Sequence, residues 1–151
     1  MNVEISIDDR DWREVPNLRK LARGAIAAAL PDQKVSLSLL FTGDAKMLEI
    51  NRQWRGKATA TNVLSFPVSA DAPVPKGELQ PLGDIVLAYG VVSREALEQQ
   101  KPVGDHVAHL IVHGVLHLLG YDHEDEAEAD AMEAREIAIL AELGMGNPYT
   151  T

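Results

Sequence analysis

The sequence predicts an α+β (mixed α/β) domain in which about five helices cover a small four-stranded sheet. Short segments of alternating or wholly apolar side chains, typical of strands, are interspersed with longer segments in which apolar residues recur every three or four positions, typical of helices. Their order, βαβα, ββ, ααα, favours a single sheet covered by helices. The length of 151 residues, with no evident internal repeat or interdomain linker, predicts a single domain over residues 1–151.

The first half of the chain predicts two strands, each followed by a helix. The evidence is a period of two in the strands, an apolar stripe of helical period after Pro16, and a turn at Thr42-Gly43-Asp44. The predicted elements are a strand over 3–7, a helix from Pro16 to about Leu30, a strand over 35–41, a short helix from Ala45 to about Arg52, and a loop over 53–61 that is rich in Gly, Thr and basic residues.

The second half predicts two strands and then three helices. Pro67 halts the first strand, Pro102 opens the second helix, and Gly144 ends the third. The predicted elements are a strand over 62–66, an irregular proline-containing surface loop over 69–81, a strand over 83–89, helices over 91–100, 102–119 and 125–144, and a frayed tail over 146–151.

The composition, 46% hydrophobic and 25% charged, is that of an ordinary globular protein. The absence of cysteine excludes disulfides and thiolate metal sites, so any metal must bind His, carboxylates and water. A formal net charge of −9 argues against binding of naked nucleic acid through bulk electrostatics, but it is compatible with a local basic site. Neither a secretory signal nor a membrane span is evident, and we expect a cytoplasmic enzyme.

Three of the five histidines fall within eleven residues, from His113 to His123. His113 and His117 share one face of a helix, and Gly120 can adopt the left-handed conformation that ends the helix and brings His123 back toward them. A lone His among apolar neighbours is usually a core residue, but three buried together would each need partners for two ring nitrogens. The spacing therefore predicts a catalytic zinc with three histidine ligands, at the end of a central helix and with a fourth position open.

The spacing His-x-x-x-His-x-x-Gly-x-x-His matches the metal-binding signature of a large group of zinc proteases, except at one position. Those enzymes place a Glu, their general base, directly after the first His, where this chain has Gly114. A glycine cannot take a proton from a metal-bound water. This substitution argues against peptide hydrolysis.

Two neighbouring residues are weaker candidates for supporting the metal ligands. Asp122 lies beside His123 and either orients an imidazole or caps the next helix. His109 lies one turn before His113, and His106 a near-turn further back, so that either can line the cleft. We do not favour His109 as a ligand, because three histidines and a water already complete tetrahedral zinc.

The histidine motif and three upstream segments resemble the YbeY family of bacterial rRNA-maturation endoribonucleases. The upstream segments are Trp54-Arg55-Gly56-Lys57, Thr61-Asn62-Val63-Leu64-Ser65-Phe66-Pro67 and Leu82-Gly83-Asp84-Ile85. The resemblance runs from about Val35 to the end of the chain, with the motifs in the family's order and near its spacing. The Gly that follows the first His, combined with Asn-Val-Leu-Ser-Phe-Pro upstream, makes the pattern highly specific.

The resemblance implies a hydrolase that acts on phosphodiester bonds and holds one Zn²⁺, or another divalent metal, on His113, His117 and His123. It also implies single-strand-specific cleavage of RNA, processing of the 3′ end of small-subunit rRNA, and a part in late ribosome quality control. Arg55 matches an arginine regarded as essential in the family. A guanidinium there can bind phosphate oxygens bidentately and stabilise the charge that builds in phosphoryl transfer. Lys57 is a weaker candidate, as a contact to the RNA backbone.

The expected partners are an RNA substrate, the small-subunit rRNA precursor, and the ribosome or its basic proteins, on which an acidic surface can dock. Where the family commonly reads Asp-x-Pro-Thr after Arg-Gly-Lys, this chain has Ala58-Thr59-Ala60-Thr61, which puts the rigidity of the arginine loop in question. No general base is evident, and either water or the substrate's 2′-hydroxyl is the nucleophile. Two rival functions stay open: a metallohydrolase of peptides or small molecules, and a non-catalytic ribosome-assembly factor with a structural metal.

Overall fold

The computed structural model describes residues 1–30, 34–68 and 73–149. In these ranges the chain forms four strands, five α-helices and one short 3-10 helix, which confirms the predicted α+β class and the order of elements. The elements are β1 (Asn2–Ile7), the 3-10 helix (Arg10–Glu14), α1 (Leu18–Ala29), β2 (Val35–Thr42), α2 (Asp44–Arg55), β3 (Val63–Pro67), β4 (Gln80–Ala88), α3 (Tyr89–Glu98), α4 (Val103–Leu118) and α5 (Glu126–Glu142).

The strands form one mixed sheet in the order β1-β2-β4-β3. β1 and β4 each pair parallel with β2, and β3 runs antiparallel to β4 at the edge. Because successive side chains of a strand point to opposite faces, Ile85 and Leu87 of β4 enter the main core, whereas Val86 and Ala88 pack with Met47 of α2. The sheet is thus covered on both faces.

Helix α4 is central to the main core. It contacts α1, α3, α5, β3 and β4, and most of its apolar side chains are buried. A helix that is apolar around most of its circumference is stabilised by packing on every side. The side chains at its C-terminal end are therefore presented from a rigid support. No helix in the described ranges combines the length and apolar character that a membrane crossing requires.

In the first half, two helix boundaries differ from the sequence-based expectations by more than one residue, and one element is additional. The helix expected to begin at Pro16 begins at Leu18, and the 3-10 helix before it was not predicted. Its one buried side chain is Trp12, whose indole donates a hydrogen bond to the carbonyl of Thr42 (2.8 Å). Because only one residue of this helix is buried, the sequence shows no apolar periodicity there. Helix α2 extends to Arg55, so residues 53–55 are not part of a loop.

The second half also needs corrections. Gln80 and Pro81, expected in a loop, pair with β2, and they lie beyond the end of β3, where a proline is tolerated. Residues 69–72 of that expected loop lie outside the described ranges. Tyr89 begins α3 and does not belong to β4. The tail expected to be frayed is anchored at Tyr149, whose hydroxyl hydrogen-bonds Glu136; residues 150–151 lie outside the described ranges.

Candidate metal centre

His113 and His117 lie one above the other in the last two turns of α4. Their ring centroids are 4.5 Å apart, and their Nε2 atoms face each other at 3.1 Å. The other nitrogen of each ring is already engaged. His113 Nδ1 lies 2.5 Å from Oε1 of Glu136 in α5, and His117 Nδ1 lies 3.0 Å from the carbonyl oxygen of Tyr121. These two contacts fix the orientation of both rings.

The contacts at Nδ1 also decide where the ring protons are. A backbone carbonyl only accepts, so His117 carries its proton on Nδ1. Burial alone would raise the pKa of Glu136, but the hydrogen bonds from His113 and Tyr149, together with His109 at 3.7 Å, outweigh it and lower that pKa to about 2. The carboxylate is therefore ionised at neutral pH, and it accepts a hydrogen bond from His113 Nδ1.

When both rings are neutral, the lone pairs of the two Nε2 atoms face each other across 3.1 Å. A proton on one ring would relieve the repulsion, but burial, followed by the proximity of His113 and His123, lowers the pKa of His117. Zinc–imidazole bonds of about 2.0–2.1 Å are compatible with two nitrogens at this separation. The donor atoms of the pair therefore suit a divalent metal ion.

The turn after α4 brings His123 back to this pair. Gly120 has a φ of +102°, and the amide hydrogens of Gly120 and Tyr121 donate to the carbonyls of His117 and Leu116, at 3.0 Å each. This is the six-to-one and five-to-two pattern of a Schellman helix end, in which glycine is favoured. The ring of His123 then lies 5.2 Å from that of His117 and 6.1 Å from that of His113.

Asp122 joins the same cluster. A ligand atom from each of His117, Asp122 and His123 lies within 4.8 Å of the other two. The Oδ1 atom of Asp122 also accepts the amide hydrogen of His123, at 2.7 Å. The carboxylate thus shapes the turn and lies beside the candidate ligands. The helix-capping role weighed from the sequence falls instead to Asp125, whose side chain accepts from the amide of Glu128 at the start of α5.

The histidines line a cleft of about 810 Å³ that Arg55 and Lys57 also line. Arg55 is the last residue of α2, and Gly56 ends the helix with a φ of +70°. The guanidinium donates to the carbonyl oxygen of Ser65 in β3, at 3.1 Å, and lies 5.7 Å from the ring centroid of Phe66. The bond to Ser65 uses one of its five N–H donors, which leaves others for a ligand.

The comparisons with known proteins agree with this geometry. The family model described as Endoribonuclease YbeY matches residues 4–144. The Endoribonuclease YbeY of Agrobacterium fabrum is 47% identical over 161 residues, which cover 99% of this chain and 95% of that protein. The protein of the same name from Azorhizobium caulinodans is 43% identical over 156 residues, which cover 99% of this chain and 96% of that protein.

The chain belongs to the YbeY family. The solution structure of a Thermotoga maritima protein superposes with a TM-score of 0.57 at 20% sequence identity, over 99% of both chains, and this likeness concerns the fold alone.

Ser65 connects the arginine to the histidine helix in this YbeY-family chain. Its carbonyl accepts from Arg55, and its hydroxyl donates to the carbonyl of Gly114 at 3.4 Å, one residue after His113. A Cβ at Gly114 would lie 3.1 Å from the Ser65 hydroxyl and 3.2 Å from Ile85. Position 114 therefore packs against the sheet, and any residue with a Cβ there would require Ser65 or Ile85 to move by a few tenths of an ångström.

The segment after Arg55 is held in place by Asn51 of α2. Asn51 is buried, and its amide donates to the carbonyl and hydroxyl oxygens of Thr59, at 2.9 and 3.4 Å. The backbone amide of Lys57 donates a hydrogen bond to the carbonyl of Asn51 at 3.3 Å. These hydrogen bonds restrain a segment, Ala58-Thr59-Ala60-Thr61, that contains neither Asp nor Pro.

The sequence did not reveal Glu136 and Tyr149 as part of this network. Glu136 is fully buried, and its second oxygen accepts from the Tyr149 hydroxyl and lies 3.7 Å from Nε2 of His109. His109 does not line the main cleft; it lies behind it, and its ring packs edge-on against Tyr149. A signal for Glu136 existed, because it occupies the apolar stripe of α5 between Met132 and Leu140.

Proposed function

We propose that the protein is a metal-dependent endoribonuclease that cleaves single-stranded RNA. The observation that carries the proposal is the pair of facing Nε2 atoms, 3.1 Å apart with both Nδ1 atoms engaged, in the same cleft as Arg55. Relatives of 43–47% identity bear the name endoribonuclease. We further propose that the protein acts in the cytoplasm on the small-subunit rRNA precursor, where it matures the 3′ end and serves late ribosome quality control.

His113, His117 and His123 are the proposed ligands of one zinc or other divalent ion, with Asp122 beside them. When bound, such an ion polarises a phosphoryl oxygen and lowers the pKa of a bound water to about 7. Glu136 and the carbonyl of Tyr121 hold the two helical imidazoles with Nε2 toward the site. This arrangement leaves no ring rotation to be restricted when the metal binds.

Arg55 is the proposed phosphate-binding residue. Its guanidinium is held on β3 by Ser65 and Phe66 before any substrate arrives. A fixed donor that faces developing negative charge lowers a barrier more than a mobile one, because no reorganisation is needed during the reaction. Lys57, exposed at the same cleft, is a proposed contact to the RNA backbone.

The nucleophile is either a water or the 2′-hydroxyl of the substrate. Cleavage of an oligonucleotide that lacks only the 2′-hydroxyl at the scissile position separates the two. We expect this substrate to resist cleavage if the 2′-hydroxyl attacks, and efficient cleavage of it rules that route out. The net charge of −9 favours docking on basic ribosomal proteins, which would supply affinity for the rRNA.

The proposed role of Arg55 is tested by cleavage of a defined small-subunit rRNA precursor, with Arg52→Glu as the matched control. Both arginines lie in the last turn of α2, but Arg52 pairs with Glu49 at 2.6 Å and does not line the cleft. We expect Arg55→Glu to lower kcat/KM about 100-fold or more, by the usual cost of removing a transition-state donor. Arg52→Glu should leave it near the wild-type value. Equal cleavage by wild type and Arg55→Glu would rule out the role.

A further inference from the structure

Trp54 is a large aromatic side chain at the surface. It is not among the residues that line the cleft, but in α2 it immediately precedes Arg55, which does line it. It is 68% exposed, whereas the other tryptophan, Trp12, is 1% exposed. Tryptophan is highly buried on average in folded proteins. Its exposure next to a candidate phosphate-binding arginine is therefore a feature that the fold alone does not explain.

The position of Trp54 is fixed relative to Arg55. Its ring meets the ring of Phe66 edge-on, with centroids 6.3 Å apart and an interplanar angle of 64°. The same Phe66 ring lies 5.7 Å from the Arg55 guanidinium. One residue of β3 thus supports both side chains, so that a ligand phosphate on Arg55 has an indole ring close by.

The charge around Trp54 favours a polyanion as the ligand. The protein carries a net charge of −9, but Arg55 and Lys57 follow Trp54 directly in the chain and line the cleft. An exposed aromatic ring flanked by basic side chains is the arrangement with which proteins bind single-stranded nucleic acid: bases stack on the ring while cations hold the phosphates. An apolar protein surface, as the alternative ligand of Trp54, would offer no negative charge to Arg55 and Lys57.

We propose that Trp54 is a base subsite, on which an unpaired nucleobase adjacent to the phosphate held by Arg55 stacks. This inference rests on the proposed function and deepens it. The bases of a duplex stack on each other and are not available to a side chain, so a stacking subsite beside the phosphate site selects single strands. Because every base has a π face, the subsite tolerates many sequences.

The test is the affinity of the metal-loaded protein for an oligoribonucleotide made resistant to cleavage by 2′-O-methyl and phosphorothioate groups. Stacking on one aromatic ring is typically equivalent to about a tenfold difference in affinity or more. We expect Trp54→Ala to weaken binding by about tenfold or more and Trp54→Phe to stay within about threefold of wild type. The matched control is Leu97→Ala, because Leu97 is also a large exposed apolar side chain, 81% exposed, but lies on α3 and not next to Arg55 on α2. It should bind as the wild type does.

Two further probes separate the bases from the backbone. An abasic oligomer of the same length should bind wild type and Trp54→Ala equally, since it offers phosphates without bases. Tryptophan fluorescence should be quenched by the single strand, and much less by the abasic oligomer or by a duplex of the same sequence, because Trp12 is buried and reports no ligand.

The outcomes are distinct. If the wild type cleaves RNA and Trp54→Ala binds the single strand as tightly as the wild type does, the base subsite is overturned and the proposed function stands. If Trp54→Ala no longer binds purified small ribosomal subunits but keeps its affinity for the oligomer, Trp54 is a protein-docking residue. This result also overturns the inference. Wild type that neither binds nor cleaves single-stranded RNA overturns both.

Discussion

The stripe of histidines on α4 has two halves with different chemistry. The front pair, His113 and His117, lies at the C-terminal end of the helix, and the rear pair, His106 and His109, lies one to two turns earlier. In the front pair Nδ1 is engaged and Nε2 faces the cleft. In the rear pair the contacts are reversed. Nε2 of His106 is 2.8 Å from Glu95, Nε2 of His109 is 3.3 Å from the Tyr149 hydroxyl, and both Nδ1 atoms are buried with no hydrogen-bond partner among the described residues.

The difference shows that spacing alone does not make a histidine a metal ligand. All four residues share one face of one helix, but only the front pair directs a nitrogen lone pair at an open cleft. Burial is the dominant influence on His106 and lowers its pKa, despite the neighbouring Glu95, which raises it. His106 is therefore neutral at pH 7, and both residues of the rear pair are packed against other side chains, whereas the front pair is the one disposed for metal binding.

Glu136 contacts both pairs, and among the residues that are not proposed ligands its removal should have the largest effect on metal binding. It accepts from His113 of the front pair and lies 3.7 Å from His109 of the rear pair. Loss of such a supporting carboxylate typically costs 10–100-fold in metal affinity. We expect about that loss for Glu136→Gln in a chelator-competition titration. Glu133→Gln, exposed on the same helix, is the control and should show no change; equal affinities in both variants would break the proposed link.

The rear pair should affect stability without affecting the metal. We expect His106→Asn to lower the free energy of unfolding by about 1–3 kcal/mol, the usual cost of disrupting a buried hydrogen bond. Metal affinity should be unchanged. A tenfold loss of metal affinity in this variant would remove the distinction between the two pairs.

The same variant carries a pH dependence. Because the folded protein holds the pKa of His106 below 6.5, the unfolded state binds the proton first as the pH falls. The contribution of neutral His106 is therefore complete above about pH 6.5 and decreases below it. Denaturation at pH 7.5 and 5.5 should show a steeper loss of stability for the wild type than for His106→Asn. Parallel losses would contradict the assignment of a neutral His106.

Tyr149 should give the smallest effect. Its hydroxyl donates to Glu136, while its ring packs on His109. Tyr149→Phe removes the hydrogen bond and keeps the ring, so we expect a loss of about 1 kcal/mol in stability and a smaller decrease in metal affinity than that of Glu136→Gln. A decrease larger than that of Glu136→Gln would mean that the tail, and not the carboxylate, holds His113.

Local patterns made much of the site predictable. The period of α4 puts His113 and His117 on one face, and Gly120 at φ +102° makes the reversal to His123 possible; both signals lie within eleven residues. The strands were also predictable from the sequence. Alternate residues of β2 and β4 enter the two different cores, and this gives short runs of alternating or wholly apolar side chains. The place of Arg55 near the histidines came from the family resemblance, since no local pattern joins residues almost sixty positions apart.

The supporting residues could not be deduced in the same way, because their partners are distant in the chain. Asn51, Ser65 and Glu136 each act through tertiary contacts with other elements. Asn51 and Glu136 did leave a trace, as polar residues in the apolar stripes of α2 and α5. Such residues are buried only when they are bonded, so an interrupted stripe is a reason to look for a partner. Tyr149 left none, because a short polar tail is ordinarily frayed.

The central claim, that the front pair holds a metal and the rear pair does not, is tested most directly by the metal content of purified wild type, His117→Ala and His106→Asn, with folding checked by circular dichroism. We predict about one equivalent of divalent metal in wild type and in His106→Asn, and little in His117→Ala. We expect His117→Ala to stay folded, because neither residue of the front pair belongs to the main core. Full metal content in His117→Ala would contradict the claim. Unfolding of that variant would instead support a structural metal.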